Sequence, residues 1–220
     1  MNNIYMINIR EDISDRILKK SEEMISEEKR KRIKKFKFRE DYLRSLYGEI
    51  LIRKVVSNKV GIDPGKIVIN RNGFGKPYME NIPDIHFNIS HSGDWVVCIV
   101  SAGECGIDIE HIKDIDLKIA ERFFHEDEYS FLIDKRGKER INRFFELWTL
   151  KESYVKYKGK GLQIPLNSFS MAYNNGRYGV IPQSETLIFS QYDCVEDYKI
   201  AACTMDEVQK IEKININELI

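Results

Sequence analysis

The order of apolar and polar segments runs through nearly the same series twice along the 220-residue chain, and this repetition most constrains the fold. Residues 4–9 predict a short buried strand, which two helical patterns and three strand-like pieces follow. A second strand candidate at 106–110 starts the series again, with helical patterns at 117–133 and 139–158 and further strand candidates after them. The residues themselves do not repeat, so the similarity is one of order alone.

We therefore predict an α+β fold in which two similar α/β subdomains pack about a pseudo-twofold axis. A boundary near residues 101–104 gives an N-terminal half of 1–103 and a C-terminal half of 104–220. The cleft between two such halves is the natural place for a ligand. Because a single chain would complete that cleft, we expect a monomer.

The charge balance limits the partners that the surface can bind. The 35 Lys and Arg residues equal the 35 Asp and Glu residues in number, so the formal net charge is zero. This argues against a surface built as a whole to hold nucleic acid or an anionic membrane. No apolar stretch approaches the ~20 residues that a membrane span needs, so we expect no membrane partner.

Cysteine use and the start of the chain predict its compartment. The four cysteines form no C-x-x-C pair, which leaves a zinc site without support. The first ten residues lack the cationic start and long apolar run of a secretory signal. We therefore expect reduced thiols in a cytoplasmic protein.

Two carboxylates alternate with isoleucines in the segment Gly106-Ile107-Asp108-Ile109-Glu110. Because strand side chains alternate between faces, Asp108 and Glu110 point to one side and the isoleucines into the core. Two such charges repel unless a cation lies between them, and carboxylate oxygens suit magnesium better than zinc. An edge strand whose polar face meets water would give the same pattern, so this segment alone leaves both interpretations open.

A third carboxylate follows on the predicted helix at 139–158, within Trp148-Thr149-Leu150-Lys151-Glu152-Ser153-Tyr154-Val155-Lys156. Glu152 and Lys156 are four residues apart and share one helix face. They either form a surface ion pair, or Glu152 completes a set of oxygen ligands and Lys156 lies beside substrate phosphates. Magnesium takes about six oxygens and often several from phosphates, which favours the second interpretation.

Two further segments carry side chains that could contact an anion. Ser90 and His91 end the segment Phe87-Asn88-Ile89-Ser90-His91-Ser92-Gly93, and Lys76 lies in Gly75-Lys76-Pro77. Each of these side chains, taken alone, is more often simply solvated. Only their combination is specific.

In this order and spacing, the four segments resemble the Sfp-type 4'-phosphopantetheinyl transferases. The resemblance extends over nearly the whole chain, including Arg122-Phe123-Phe124, and is weakest in the first 25 residues and after about residue 173. It implies transfer of the phosphopantetheine arm of coenzyme A to a serine of an apo acyl- or peptidyl-carrier protein, with release of 3',5'-ADP. It also implies two similar halves with the active site between them.

The resemblance implies a role for each candidate site residue. It makes three carboxylates the magnesium ligands: Asp108, Glu110 and Glu152. It makes Lys156 the contact to the pyrophosphate, and it places around the 3'-phosphate His91, Lys29 and Arg32. The other coenzyme A contacts are expected among Lys76, Ser90, Arg44 and Ser45. For the general base that takes the serine proton, we expect Glu152 first and Glu128 second.

The implied division of labour gives the coenzyme A nucleotide to the N-terminal half and the metal site to the C-terminal half. Residues 158–190 correspond to the part of the family that meets the carrier protein. The alternative from another class is a nucleic-acid-binding module that uses the basic run 29–35, which is otherwise the solvated face of a helix. A different magnesium-dependent phosphotransferase lacks support because the chain has no G-x-x-x-x-G-K-[ST] loop.

Overall fold

Each half of the chain starts with one strand, continues with three helices and ends in a series of strands. This is the arrangement in a computed structural model, which describes residues 2–10, 13–183 and 185–220. The N-terminal half contains β1 (Asn2–Asn8), α1 (Asp15–Glu23), α2 (Glu27–Ile33), α3 (Arg39–Val60), β2 (Ile69–Arg71), β3 (Pro77–Met79), β4 (His86–Ser92) and β5 (Trp95–Ser101). The C-terminal half contains β6 (Cys105–His111), α4 (Lys118–Phe123), α5 (Glu126–Ile133), α6 (Gly137–Lys158), β7 (Ser170–Asn174), β8 (Arg177–Ile181), β9 (Ile188–Tyr192), β10 (Tyr198–Thr204) and β11 (Val208–Lys213). The predicted α+β class and the repeated order of elements are confirmed.

Each half has three helices where the sequence pattern indicated two, because the long patterns are interrupted. In the first half, α2 ends at Ile33 and α3 begins only at Arg39. In the second half, the side chain of His125 accepts a hydrogen bond from the backbone of Asp127, and Glu128 accepts one from the backbone of His125. This reciprocal cap starts α5 as a separate helix.

The strands form two main sheets and one short hairpin. The first sheet has the order β11-β1-β5-β4, the second has the order β6-β10-β9-β8-β7, and β2 pairs with β3. Strand β11 lies parallel to β1, so the end of the chain returns to the first sheet. Ile216 and Leu219 then pack in the N-terminal core. A division of the chain at residue 104 therefore separates these C-terminal residues from the sheet and core that they join.

The two sheets face each other, with one long helix on the outer side of each. Helix α3 packs on β4 and β5, and α6 packs on β6 and β10. The cluster between the sheets includes Ile4 and Ile99 from the first sheet and Ile107 and Ile200 from the second. Helix α6 lies so close to β6 that a Cβ on Gly106 would overlap the helix backbone. None of the helices described is both long and apolar enough to cross a membrane.

Candidate active site

Strands β4 and β6 are edge strands of the two sheets, and they meet through side chains. Three alternate residues of β4 point toward β6 because side chains two apart share a face. Their oxygen atoms accept hydrogen bonds from alternate backbone N–H groups of β6, at 3.0–3.4 Å: Asn88 from Ile107, Ser90 from Ile109 and Ser92 from His111. This ladder, here called the β4 ladder, satisfies N–H groups that an edge strand otherwise leaves unpaired.

The two serines of the β4 ladder also hold the carboxylates of β6. Ser90 Oγ donates to Asp108 Oδ1 at 2.8 Å, and Ser92 Oγ donates to Glu110 Oε2 at 2.7 Å. Lys156 Nζ donates to the same Asp108 oxygen at 2.6 Å and to Ser90 Oγ at 2.8 Å. The buried Ser90 hydroxyl therefore donates once and accepts twice, which is its full capacity. Ser90 thus positions Asp108, and its hydroxyl has no free place for a ligand.

The second carboxylate oxygen of Asp108 has no partner. Asp108 is 3% exposed, and its Oδ2 is buried without a hydrogen bond from any of the described residues. Leaving such an atom unsatisfied costs on the order of 1–3 kcal/mol. Unpaired buried polar groups are rare, so this oxygen indicates a position for a cation or a hydrogen-bond donor that is not part of the chain.

Two more carboxylates lie within electrostatic reach of Asp108. Burial, followed by the charge of Asp108, raises the pKa of Glu110, against the opposing hydrogen bond from Ser92. The same two causes raise the pKa of Glu152 on α6. The half-buried Glu152 carboxylate has no hydrogen bond or ion pair within the described part of the chain. The three predicted metal ligands therefore form one electrostatic cluster.

The donor set fits magnesium in its chemistry, although the side chains are not arranged around an ion. Across residues 2–10, 13–183 and 185–220, no three His, Cys, Asp or Glu side chains are placed to hold a metal. The ammonium of Lys156 instead neutralises Asp108. The free Asp108 Oδ2 and two neighbouring carboxylates provide the oxygen ligands that a hard divalent cation prefers.

Cationic side chains from both halves adjoin the carboxylates. Desolvation, with the positive charges of Arg44 and Lys156, lowers the pKa of His91. Arg44 Nη1 donates to the carbonyl of Gly93 at 2.6 Å, which holds the turn after His91 against α3. Ser45 follows Arg44 on the same helix and is half-buried. Arg44 and Lys156 therefore place two positive charges near His91, and each of them is also paired with an acid, Arg44 with Asp41 and Lys156 with Asp108.

A cleft of about 680 Å³ opens beside these residues. Both halves line it: Phe74 to Pro77 and Asn88 come from the N-terminal half, and Glu152 and Lys156 come from α6. Its far wall is largely apolar and includes Phe123, Ile164 and Leu166. A volume of this size suits a cofactor-sized ligand with one anionic and one apolar end.

Sequence comparisons agree with this geometry. A family model described as 4'-phosphopantetheinyl transferase, N-terminal, matches residues 14–104, and the 4'-phosphopantetheinyl transferase superfamily model matches residues 104–203. The chain is 42% identical over 200 residues to the 4'-phosphopantetheinyl transferase gsp of Aneurinibacillus migulanus, covering 89% of this chain and 84% of that one. It is 40% identical over 201 residues to the 4'-phosphopantetheinyl transferase Sfp of Bacillus subtilis (strain 168), covering 89% and 90%. The chain belongs to the 4'-phosphopantetheinyl transferase family. Among solved structures, the holo-acyl-carrier-protein synthase of Thermotoga maritima aligns with 47% of this chain and 63% of its own, at 20% identity and a TM-score of 0.40.

In this member of the transferase family, the predicted cations Lys29 and Arg32 line a second cavity of about 620 Å³. Burial lowers the pKa of Lys29, while its salt bridge to Glu49, at 3.6 Å, opposes that shift. Arg71 of β2 lines the same cavity and was missed by the sequence reasoning. The available signal was a basic residue shortly before Gly75-Lys76-Pro77, but no local pattern places it beside α2.

Lys76 lines the cleft as predicted, but its ammonium faces the protein. Lys76 Nζ donates to Glu104 Oε2 at 2.6 Å and to the carbonyl oxygens of Cys105 and Tyr157. An ammonium has three N–H donors, so none remains for a phosphate in this arrangement.

Glu128, the second candidate for the general base, lies in surroundings that favour a structural role. It is 4% exposed, and both carboxylate oxygens are occupied: Oε1 accepts from the backbone of Met171, and Oε2 accepts from the backbone of His125 and from Lys151 Nζ. Lys151 is itself fully buried and also donates to the carbonyl of Phe169. Glu128 therefore stabilises the C-terminal half, and the structure does not bring it to the carboxylate cluster.

Proposed function

We propose that this chain transfers the 4'-phosphopantetheine arm of coenzyme A to a serine hydroxyl of an apo acyl- or peptidyl-carrier protein, releasing 3',5'-ADP. The observation that carries the proposal is the carboxylate cluster with its unpartnered Asp108 oxygen, next to Lys156, which with Glu152 lines a cleft between the halves. The identity of about 40% with named transferases over 89% of the chain supports the same reaction.

We infer that coenzyme A lies along the cleft with its nucleotide on the N-terminal half. The 3'-phosphate would contact His91, Lys29 and Arg32, and Arg44 and Ser45 would lie beside the nucleotide. The cations form two groups, Lys29 and Arg32 in the second cavity and Arg44 and Lys156 around His91, and the nucleotide would have to reach both. The pyrophosphate would then lie at Lys156, which can turn from Asp108 to a phosphate oxygen because a quarter of its side chain is exposed.

The carboxylate cluster supports a magnesium requirement. Asp108, Glu110 and Glu152 would hold Mg²⁺, which would supply positive charge to stabilise the pyrophosphate during phosphoryl transfer. Ser90 and Ser92 hydrogen-bond two of these carboxylates from the facing strand, which limits where the two side chains can point. Lys156 would stabilise the negative charge that develops on the departing phosphate.

Glu152 is our proposed general base. Its carboxylate lies in the cleft and forms no ion pair within the described residues, so it can accept the serine proton. The serine oxygen attacks the phosphorus that carries the pantetheine, the serine proton passes to Glu152, and the bond from that phosphorus to the bridging oxygen breaks. The bridging oxygen leaves with 3',5'-ADP.

The test is mass spectrometry of several apo carrier proteins after incubation with the protein, coenzyme A and magnesium. A mass gain equal to the phosphopantetheine arm identifies both the reaction and its acceptor. Asp108→Asn should lower turnover on the order of 10²–10³-fold, if loss of this ligand resembles loss of one preorganised electrostatic partner. The matched control is Asp114→Asn, at an exposed position. Near-normal turnover of Asp108→Asn would remove the metal assignment, and no mass gain on any carrier would remove the reaction.

We propose a cytoplasmic monomer that does not act on nucleic acid. Two lysines of the 29–35 region outside the proposed phosphate site pair with acids, Lys31 with Glu27 and Lys34 with Glu22, which reduces the charge available to a polyanion. The four cysteines are free thiols, in agreement with a reducing compartment. Light scattering gives the mass in solution, and a gel-shift titration at two salt concentrations detects the steep salt dependence of phosphate-backbone binding.

A further inference from the structure

The segment 72–77 of the N-terminal half meets the C-terminal end of α6 through two side chains. Asn72 Nδ2 donates to the carbonyl of Gly159 at 3.1 Å, and Lys76 Nζ donates to the carbonyl of Tyr157 at 3.0 Å. The last carbonyls of a helix have no intrahelical partner, so they need such donors. A cation at this end also interacts favourably with the helix dipole. One half of the protein thus caps the long helix of the other.

Lys76 also connects this helix end with the start of β6. Its ammonium donates to the Glu104 carboxylate at 2.6 Å and to the carbonyl of Cys105 at 3.2 Å, and its side chain is 14% exposed. Glu104 is the residue at which the two family models meet. A single ammonium therefore joins three parts of the chain: the 72–77 segment, the junction of the halves and the end of α6.

The packing around the Lys76 stem leaves little freedom. Gly159 ends α6 with φ of +64°, and a Cβ at that position would lie 2.8 Å from Lys76 Cδ. The left-handed backbone favours glycine here, and a side chain at this position would displace the lysine stem. Within segment 72–77, Asn72 Oδ1 accepts from the backbone of Phe74 and of Lys76, which fixes the loop itself.

This arrangement bears directly on the cleft. Phe74, Gly75 and Pro77 form part of one wall, and Glu152 and Lys156 lie on α6 within the two turns that precede its end. We propose that Lys76 is a positioning residue, a clasp that fixes the cleft wall 72–77 against α6, and not a cation that contacts the anionic ligand. The part of this inference that concerns coenzyme A binding rests on the proposed function.

Removing the Glu104 side chain distinguishes the two possible roles of Lys76, because each role predicts a different direction of change in coenzyme A affinity. Glu104→Ala deletes a negative charge near the cleft and releases Lys76. If Lys76 bound the ligand directly, this variant would bind coenzyme A as tightly as the wild type or more tightly. If Lys76 is a clasp, binding weakens, by about two- to fivefold for loss of a half-exposed ion pair.

We expect Lys76→Met to weaken coenzyme A binding by about tenfold, the effect of losing a charge-assisted hydrogen-bonded group. In the variant that carries both Glu104→Ala and Lys76→Met, the loss of coenzyme A affinity should be smaller than the product of the two single losses, because both substitutions break the same contact. Lys160→Met, an exposed lysine on the next turn, is the matched charge control and should bind normally. Calorimetric titration with coenzyme A measures all four.

Amide hydrogen exchange provides a readout that needs no ligand. Lys76→Met should exchange faster at residues 157–161 than the wild type and Lys160→Met, because the helix end loses one of its two side-chain donors, and Glu104→Ala should show a smaller increase because its lysine is less firmly held. Unchanged exchange there, or coenzyme A affinity that rises in Glu104→Ala while it falls in Lys76→Met, overturns the clasp. If the wild type neither binds coenzyme A nor modifies a carrier, the proposed function fails, and hydrogen exchange still decides the clasp.

Discussion

Replacing Glu128 by glutamine tests whether this residue stabilises the C-terminal half or takes part in catalysis. The substitution keeps the size of the side chain but removes the counter-ion of Lys151, which is 0% exposed. It also converts an acceptor into a donor. Glu128 accepts from Met171 on one oxygen and from His125 and Lys151 on the other, so either orientation of the new amide places an NH₂ opposite an N–H donor.

The structure sets the size of the expected loss. Breaking a buried ion pair by removing one partner costs about 3–5 kcal/mol, because an uncompensated charge stays in the interior. That is a large part of the 5–15 kcal/mol by which a typical domain is stable. We therefore expect the free energy of unfolding of Glu128→Gln to be about 3–5 kcal/mol lower than that of the wild type. Removing both charges in Glu128→Leu with Lys151→Met should recover part of this loss.

Urea unfolding followed by circular dichroism measures the free energy of unfolding. Glu126→Gln is the matched control, since Glu126 is exposed in the first turn of the same helix and should cost no more than about 1 kcal/mol. Turnover is measured at a temperature at which the variant remains folded, and we expect it to stay within about threefold of the wild type. A stable Glu128→Gln protein whose turnover falls by the 10²–10⁴ typical of a lost general base would refute this reasoning.

Three other predictions follow from single contacts. In Gly106→Ala, the new Cβ meets the carbonyl of Ser153 in α6, so overpacking should lower the free energy of unfolding by about 1–3 kcal/mol. The melting temperature should fall accordingly, and an unchanged value would contradict the close packing of β6 on α6. The hydrogen bond from Tyr42 lowers the pKa of Glu22, so the stabilisation by that carboxylate is present at neutral pH and is lost as the pH falls below about 4. The stability curves of Glu22→Gln and the wild type should thus converge in acid, and parallel curves would count against the bond. Burial raises the pKa of Cys105 to about 12, so iodoacetamide at pH 8 should label this thiol only after unfolding. Mass spectrometry that finds the label on Cys105 of the native protein would contradict this.

Local periodicity accounts for what the sequence predicted correctly. The helical pattern at 139–158 corresponds to α6 (Gly137–Lys158), because the apolar spacing of a long helix is contained in the segment itself. Strand alternation at 106–110 placed Asp108 and Glu110 on one side of β6, and both face the β4 ladder. Strand β11 was missed, because its pairing with β1 at the opposite end of the chain leaves no local signal.

The partners of the site residues could not be read from the sequence, since they join distant segments. Lys156 and Asp108 are 48 residues apart, and Ser90 and Asp108 are 18 apart. The i, i+4 spacing suggested a pair between Lys156 and Glu152, but Lys156 bonds to Asp108 across the interface of α6 and β6. Spacing identifies which residues share a face, and the neighbouring element decides which of them is bound.

The junction of the sheets explains how an acid can lie at so buried a position as Asp108. In the described part of the chain, the backbone of β4 pairs with β5 and not with β6, so side chains fill the space between the two edge strands. A backbone group either donates or accepts, whereas the Ser90 hydroxyl donates to Asp108 and accepts from both Ile109 and Lys156. The same hydroxyl therefore links β4 to β6, orients the Asp108 carboxylate and accepts a hydrogen bond from Lys156, the counter-ion of that carboxylate. The N-terminal half, which contains none of the three carboxylates, thereby determines where two of them point.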